Sequence, residues 1–301
     1  MADFMKLLAE RRVLVADGAW GTELAKRGMG PGTVPELWNA ERQGEVQAVA
    51  ASYVAAGSDV ILTNTFGGTA IKLARSGLAS RVGELNLAGA ELSVKAAAGK
   101  ALVFGSVGPC GELLEPYGEL EPAKAKGAFA EQVRWLAEGG ADGIVIETVA
   151  DLKEAETALA AAKESCRLPV VVCMTFEKGP GGLATMMGVR PEHAARALTA
   201  AGADLVGANC GAGIEQMVEV ARELRSATEL PLWIKPNAGR PELAGGKTVY
   251  KETPAEFAAR TAELVAAAGG TAVVGGCCGT TPEHIRLMAA AVAGLGSGGK
   301  K

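Results

Sequence analysis

A chain of 301 residues, 49% hydrophobic and 21% charged, has the balance of a water-soluble folded protein large enough to bury most of its apolar surface without disulfides. The formal net charge of −4 argues against a nucleic-acid or membrane-surface partner, since both favour a basic face. No stretch approaches the roughly 18 apolar residues of a membrane span, and the N-terminus MADFMKLLAERRVLV lacks a signal-peptide core, so a cytoplasmic location is expected.

Short runs rich in Val, Ile and Leu recur along the chain at Val13 to Ala16, Asp59 to Thr63, Ala101 to Val107, Gly143 to Glu147, Val170 to Thr175, Leu205 to Asn209, Leu232 to Lys235 and Ala272 to Gly275. Each is too short for a helix and too continuously apolar for a half-exposed strand, which predicts strands buried on both faces. The segments between them carry helical spacing, as in Gly44 to Ala56, Ala123 to Gly139, Leu152 to Glu164, Pro191 to Ala201, Ile214 to Ala227 and Pro254 to Ala268. Several end in a glycine step followed by aspartate (Ala56–Asp59, Gly139–Asp142, Ala201–Asp204), the expected helix stop before a new strand. A doubly wound open sheet also alternates strand and helix. The count of eight, and the absence of G-x-G-x-x-G after the first run, favour a single (β/α)8 TIM barrel over residues 1–290, with 291–301 expected as a flexible tail.

In such a barrel the active site lies at the carboxyl ends of the strands. Polar and glycine-rich segments follow the apolar runs: Asp17-Gly18-Ala19-Trp20, Thr63-Asn64-Thr65-Phe66, Ser106-Val107-Gly108, Glu147-Thr148, Thr175-Phe176-Glu177, Asn209-Cys210-Gly211, Lys235-Pro236-Asn237 and Gly276-Cys277-Cys278-Gly279. Cys210 ends the sixth run and Cys277 and Cys278 end the eighth, so one intervening strand separates them. Three thiolates around Zn²⁺ at about 2.3 Å leave a fourth position open, the arrangement of a catalytic site. Adjacent cysteines on a strand point apart, so both reach one metal only if the backbone turns sharply at the flanking glycines. On spacing alone, zinc ligation and burial as small hydrophobes both stay open. Cys173 reads as core, Cys166 as structural and Cys110 as a bystander near the cavity. A tris-thiolate zinc carries a formal charge of −1, a poor setting for splitting water but a good one for binding a thiol and lowering its pKa. With only His193 and His284 available, a zinc hydrolase is disfavoured; His284, at the start of the last helix, reads as a cap or surface residue.

The segments DGAWGTEL (17–24), DVILTNTFGGT (59–69), GSVGPCGELLEPYGE (105–119), DGIVIET (142–148), VGANCGAG (206–213), KPNAGRPEL (235–243) and GGCCGTTPEHI (275–285) resemble the homocysteine S-methyltransferase family over about residues 12–290. KPNAG, GKTVY (246–250) and GGCCGTTPEHI resemble the homocysteine-binding module of cobalamin-dependent methionine synthase more than the betaine-dependent members. The resemblance implies zinc on Cys210, Cys277 and Cys278, with the thiolate of homocysteine as its fourth ligand and as the nucleophile, and no other catalytic residue. It implies that Asp17 and Glu147 hold the substrate amino acid. Glu147 can pair with an α-ammonium, and the backbone of Gly18 and Ala19 can receive a carboxylate or position the chain. Asn237 is expected either to reach the zinc when substrate is absent or to steady the site. The methyl donor is expected to be a separate corrinoid protein or a small onium compound such as betaine or S-methylmethionine. Trp20, with Trp38, Phe66 or Tyr117, is a candidate onium cage; Trp20 as plain packing at the barrel mouth is the competing expectation. A different acceptor thiol, or a barrel that binds zinc or thiols without catalysis, are the remaining alternatives.

Overall fold

All eight apolar runs form strands in the computed structural model, which describes residues 4–245 and 247–297. They are β1 (Val13–Val15), β2 (Val60–Leu62), β3 (Leu102–Val107), β4 (Gly143–Val149), β5 (Val170–Met174), β6 (Leu205–Cys210), β7 (Leu232–Pro236) and β8 (Ala272–Val274). All pair in parallel in the order β1-β8-β7-β6-β5-β4-β3-β2, and a parallel bridge between Ala16 and Val60 joins β1 to β2 and closes the ring. The fold is the (β/α)8 barrel expected from the strand count. The expected helices form within one or two residues of their bounds, except that the segment after β7 breaks at Arg260 into Pro254–Ala259 and Thr261–Ala267. Two exposed hairpins, Glu177–Gly179 with Gly182–Ala184 and Glu242–Ala244 with Lys247–Val249, were not expected, because their largely solvated strands carry no apolar run. The last helix spans Pro282–Ser297, so the tail expected from 291 is helical as far as Ser297, and 298–301 lie outside the described residues. No helix among the described residues is long and apolar enough to cross a membrane.

Alternate residues of a strand share a face, and here that rule sorts the core. Leu14, Leu62, Phe104, Val145, Val171, Cys173, Leu205, Trp233 and Val273 fill the barrel interior, while their neighbours Val15, Ile61, Val103, Ile144, Val172, Val206 and Ile234 pack outward against the helices. The N-terminal helix Phe4–Arg11 plugs the lower end, with the Phe4 ring edge-on to Phe104 at 4.8 Å and Phe104 against Trp233 at 5.3 Å. Continuing two residues up the same inward face turns the filling polar: Ser106 above Phe104, Glu147 above Val145, Lys235 above Trp233, and Asn209 four residues above Leu205. All four are buried.

The glycine–aspartate steps do more than end helices. Gly57, Gly140 and Gly202 adopt left-handed backbone, with φ of +95°, +89° and +90°, the helix-end conformation in which glycine has no Cβ penalty. The aspartate two residues on then reaches to the strand before it. Asp59 accepts the Val15 N–H at 2.9 Å, Asp142 the Val103 N–H at 2.9 Å, and Asp204 the Val170 N–H at 2.6 Å. Carboxylates thus staple β1 to β2, β3 to β4 and β5 to β6 at the end of the barrel opposite the polar layer. Asp142→Ala leaves the Val103 amide without this acceptor and is expected to cost about 1–3 kcal/mol in chemical denaturation, with metal and substrate binding at the far end unchanged.

Candidate metal and substrate site

The three cysteines converge. Cys210 Sγ lies 3.1 Å from Cys277 Sγ and 3.9 Å from Cys278 Sγ, and all three sulfurs fall within 4.8 Å of one another. The sharp turn needed to bring adjacent cysteines together is present. Cys277 accepts the Thr280 N–H at 3.1 Å across a β-turn, with Gly279 in the left-handed region at φ +80°. A Cβ on Gly279 would also lie 2.2 Å from the Tyr250 ring, so the turn is closed to larger residues twice over. The loop is held from outside by Cys277 N–H to the Pro236 carbonyl (2.7 Å), Ala238 N–H to the Cys278 carbonyl (3.0 Å) and Gly276 N–H to the Asp17 carbonyl (3.0 Å). Cys210 itself sits at φ +61°, a conformation uncommon for any residue but glycine and often found at functional sites.

Tetrahedral ligation at about 2.3 Å puts sulfurs roughly 3.8 Å apart; Cys210 and Cys278 stand at that spacing, and Cys210 and Cys277 are closer. The chemistry of the donor set agrees. Hydrogen bonds from Cys210 and Cys277, with a further one from Tyr250, pull Cys278 down to about 3 despite its burial. Cys210 is pushed well above the ordinary thiol range by its bonds to Cys277 and Cys278 and then by burial. A divalent metal would stabilise all three as thiolates. The trio therefore fits a metal, with Tyr250 as a sulfur partner that the sequence did not single out.

The sulfurs lie in the wall of a cavity of about 750 Å³ that also meets Gly18, Ala19, Trp20, Glu147, Thr148, Lys235, Phe66 and Lys72. Glu147 stands where β4 and β5 shift register between Ile146 and Val149, an irregularity of the kind that re-aims side chains. Its neighbour Thr148 has φ +63°, a strained value for a β-branched residue. Burial pushes the Glu147 carboxyl up to about 7, with Lys235 opposing and Cys277 adding to the rise; Ser106 donates to it at 2.5 Å.

Asp17 does not face this cavity. It is fully buried, with Oδ1 2.5 Å from the Lys235 ammonium and Oδ2 accepting from Leu62 N–H and Trp20 Nε1, each at 2.8 Å. The carboxylate expected to touch substrate anchors the wall, and Lys235 lines the cavity in its place. Burial alone would depress the Lys235 ammonium, but Asp17 and Glu147 outweigh it and hold its pKa above the ordinary value. Lysine at the end of an apolar strand, two residues above Trp233, was the available sequence signal for this site residue. The Ala19 N–H, expected to be open to substrate, donates to Thr280 Oγ1 at 3.2 Å. Asn237 donates to the Gly211 carbonyl at 2.6 Å, next to Cys210, while its own Oδ1 is buried without a hydrogen-bond partner.

Of the proposed cage, Trp20 lines the cavity but Phe66 has its face covered by the Lys72 ammonium at 4.6 Å. Trp38 is buried beneath Arg42, and Tyr117 is 72% exposed, so neither joins it. Cys173 is interior core, and Cys110 is buried against Glu154 at 2.8 Å, which together with burial pushes its thiol up to about 12. Cys166 is half-buried, with its thiol at 3.5 Å from the Ala162 carbonyl. His284 accepts the Thr281 N–H at 3.1 Å, capping the last helix from a buried position.

The chain belongs to the homocysteine S-methyltransferase family, whose profile matches residues 14–292. It is 33% identical to the methionine synthases of Mycobacterium tuberculosis and Mycobacterium leprae, over 97% and 98% of its length. It spans 26% of each, about a quarter of those relatives. Among solved structures it is similar to the homocysteine methyltransferase MmuM from Escherichia coli in its metallated form, with 25% identity and a TM-score of 0.79 over 96% of this chain and 99% of that one.

The sealed ion pair sets the first test of the site. Asp17→Asn leaves the Lys235 ammonium buried without its counter-charge and is expected to cost about 3–5 kcal/mol in urea unfolding; replacing both residues by apolar ones of similar size is expected to cost less than the single change.

Proposed function

We propose that this barrel is a zinc-dependent enzyme that transfers a methyl group to the thiol of homocysteine, giving methionine. The observation that carries the reading is three convergent cysteine sulfurs in the wall of a cavity that also presents a buried carboxylate, Glu147. Zinc held by Cys210, Cys277 and Cys278 would supply an open coordination position that keeps the acceptor thiol deprotonated near neutral pH. Glu147 takes the α-ammonium of the amino acid, and the charge pairing favours its ionised form. The backbone at Gly18 and Ala19 borders the place for the carboxylate. Asn237 steadies the Cys210–Gly211 corner through its bond to Gly211. The sulfur lone pair forms the new S–CH₃ bond as the donor's bond to that methyl breaks, and the bonding electrons leave with the donor.

The cavity, within the roughly 300–1,000 Å³ of small-molecule pockets, exceeds what one short amino acid fills. We read the remaining space as the seat of a small methylated onium donor, with the Trp20 ring as its aromatic wall. Delivery of the methyl group by a separate corrinoid protein is the second reading, favoured by the 33% identity to methionine synthases. Zinc-loaded protein would be given homocysteine with glycine betaine, S-methylmethionine or methylcobalamin in separate tubes, and methionine assayed. Methionine from an onium donor is the expected result; product from methylcobalamin alone would favour the corrinoid reading. Cys210→Ala is expected to lose stoichiometric zinc and more than about 100-fold in activity, beyond what loss of an outer-shell partner causes. Full zinc and full activity in that variant would overturn the site.

A further inference from the structure

Asn209 is completely buried at the end of β6, on the inward face above Leu205 and immediately before Cys210. Its single amide group meets three parts of the site. Oδ1 accepts the Thr148 N–H at 2.7 Å, and Nδ2 donates to Thr148 Oγ1 at 2.7 Å. The same Nδ2 lies 3.5 Å from Glu147 Oε2 and 3.7 Å from Cys277 Sγ. The two short bonds clamp the strained Thr148 at the β4 irregularity, and so fix where Glu147 emerges. The two longer contacts share one nitrogen, so Asn209 ties the carboxylate and the sulfur to a single point.

We propose that Asn209 is a positioning residue that sets the span between the ammonium-binding and sulfur-binding ends of the site, and thereby selects the chain length of the aminothiol. The inference rests on the reading above, in which Glu147 takes the α-ammonium and Cys277 belongs to the metal trio. A planar amide with no free rotamer space makes a rigid spacer. With both ends held in fixed places, an acceptor one methylene shorter than homocysteine is expected to span them less well. Discrimination by a single methylene is ordinarily worth about 10–200-fold, and a rigid site is needed to realise it.

The test is calorimetric titration of zinc-loaded protein with homocysteine and with cysteine, alongside thermal unfolding, for the natural protein, Asn209→Ala and Asn209→Ser. Asn209→Ser adds no charge to this buried position and keeps a hydroxyl for the Thr148 backbone, so it is expected to fold even where Asn209→Ala does not. It loses the donor to Glu147 and Cys277. The natural protein is expected to bind homocysteine more tightly than cysteine, and the variants to narrow that preference by about tenfold. Equal weakening of both ligands would assign Asn209 a purely structural role and overturn the proposal, as would equal binding of both by the natural protein. Selective homocysteine binding that the variants erode, with no methyl transfer from any donor, would instead refute the enzymatic reading and leave the positioning role standing.

Discussion

The Asp17–Lys235 ion pair, buried among strand ends beside the cavity, is the contact on which the upper half of the barrel depends. An ion pair placed there is held against a large desolvation penalty, which the Asp17 carboxylate offsets with three hydrogen bonds, from Lys235, Leu62 N–H and Trp20 Nε1. Through Asp17 the ends of β1, β2 and β7 are tied together, and Trp20 is oriented by its indole N–H. Through its backbone carbonyl Asp17 also receives the Gly276 N–H, just before the paired cysteines. Lys235 in turn opposes the rise of the Glu147 pKa. Asp17 therefore holds the aromatic wall by its side chain and the cysteine turn by its backbone, while its partner Lys235 bears on the charge of Glu147.

Above this pair the backbone gives up regular geometry where chemistry is needed. Thr148 and Cys210 lie at left-handed φ beside Glu147 and Asn209, and neither residue type favours that conformation. Such strain persists only when neighbours over-determine it. Thr148 is over-determined by the Asn209 amide, and Cys210 is followed by Gly211, whose carbonyl is held by Asn237. Local distortion thus aims the functional groups inward from strands that are otherwise regular.

Much of the barrel was legible because fully buried parallel strands leave continuous apolar runs, and helices between them leave a 3.6-residue period. The metal trio was legible for a related reason: strand order converts distant sequence positions into neighbours at one end of the ring. Where the structure adds to the sequence reading, the reason is long range. Asp17 was read as substrate-holding from its match to the family's D-G-x-x-G-T segment, and its pairing with Lys235, 218 positions away, is a contact that no local pattern announces. Stepping by two from Phe104, Val145, Leu205 and Trp233 would have found Ser106, Glu147, Asn209 and Lys235 on the inward face. Tyr250 left no such trace, since a solvated hairpin delivers it. Trp38 and Tyr117 were grouped with Trp20 by residue type, which carries no information about which loop folds over the mouth.

The three aspartate staples bind strands in successive pairs, and among the described residues the pair β7–β8 has none. That quarter of the ring carries Lys235, Cys277 and Cys278. Its opening would dismantle the charge pair and two of the three sulfur positions in one step, with every staple still intact. Regions of a protein open with different free energies, and here the pair without a carboxylate staple holds the chemistry. A ligand bridging Cys210 to Cys277 and Cys278 would tie the end of β6 to the end of β8 across β7, fastening from above the quarter of the ring that has no carboxylate staple below.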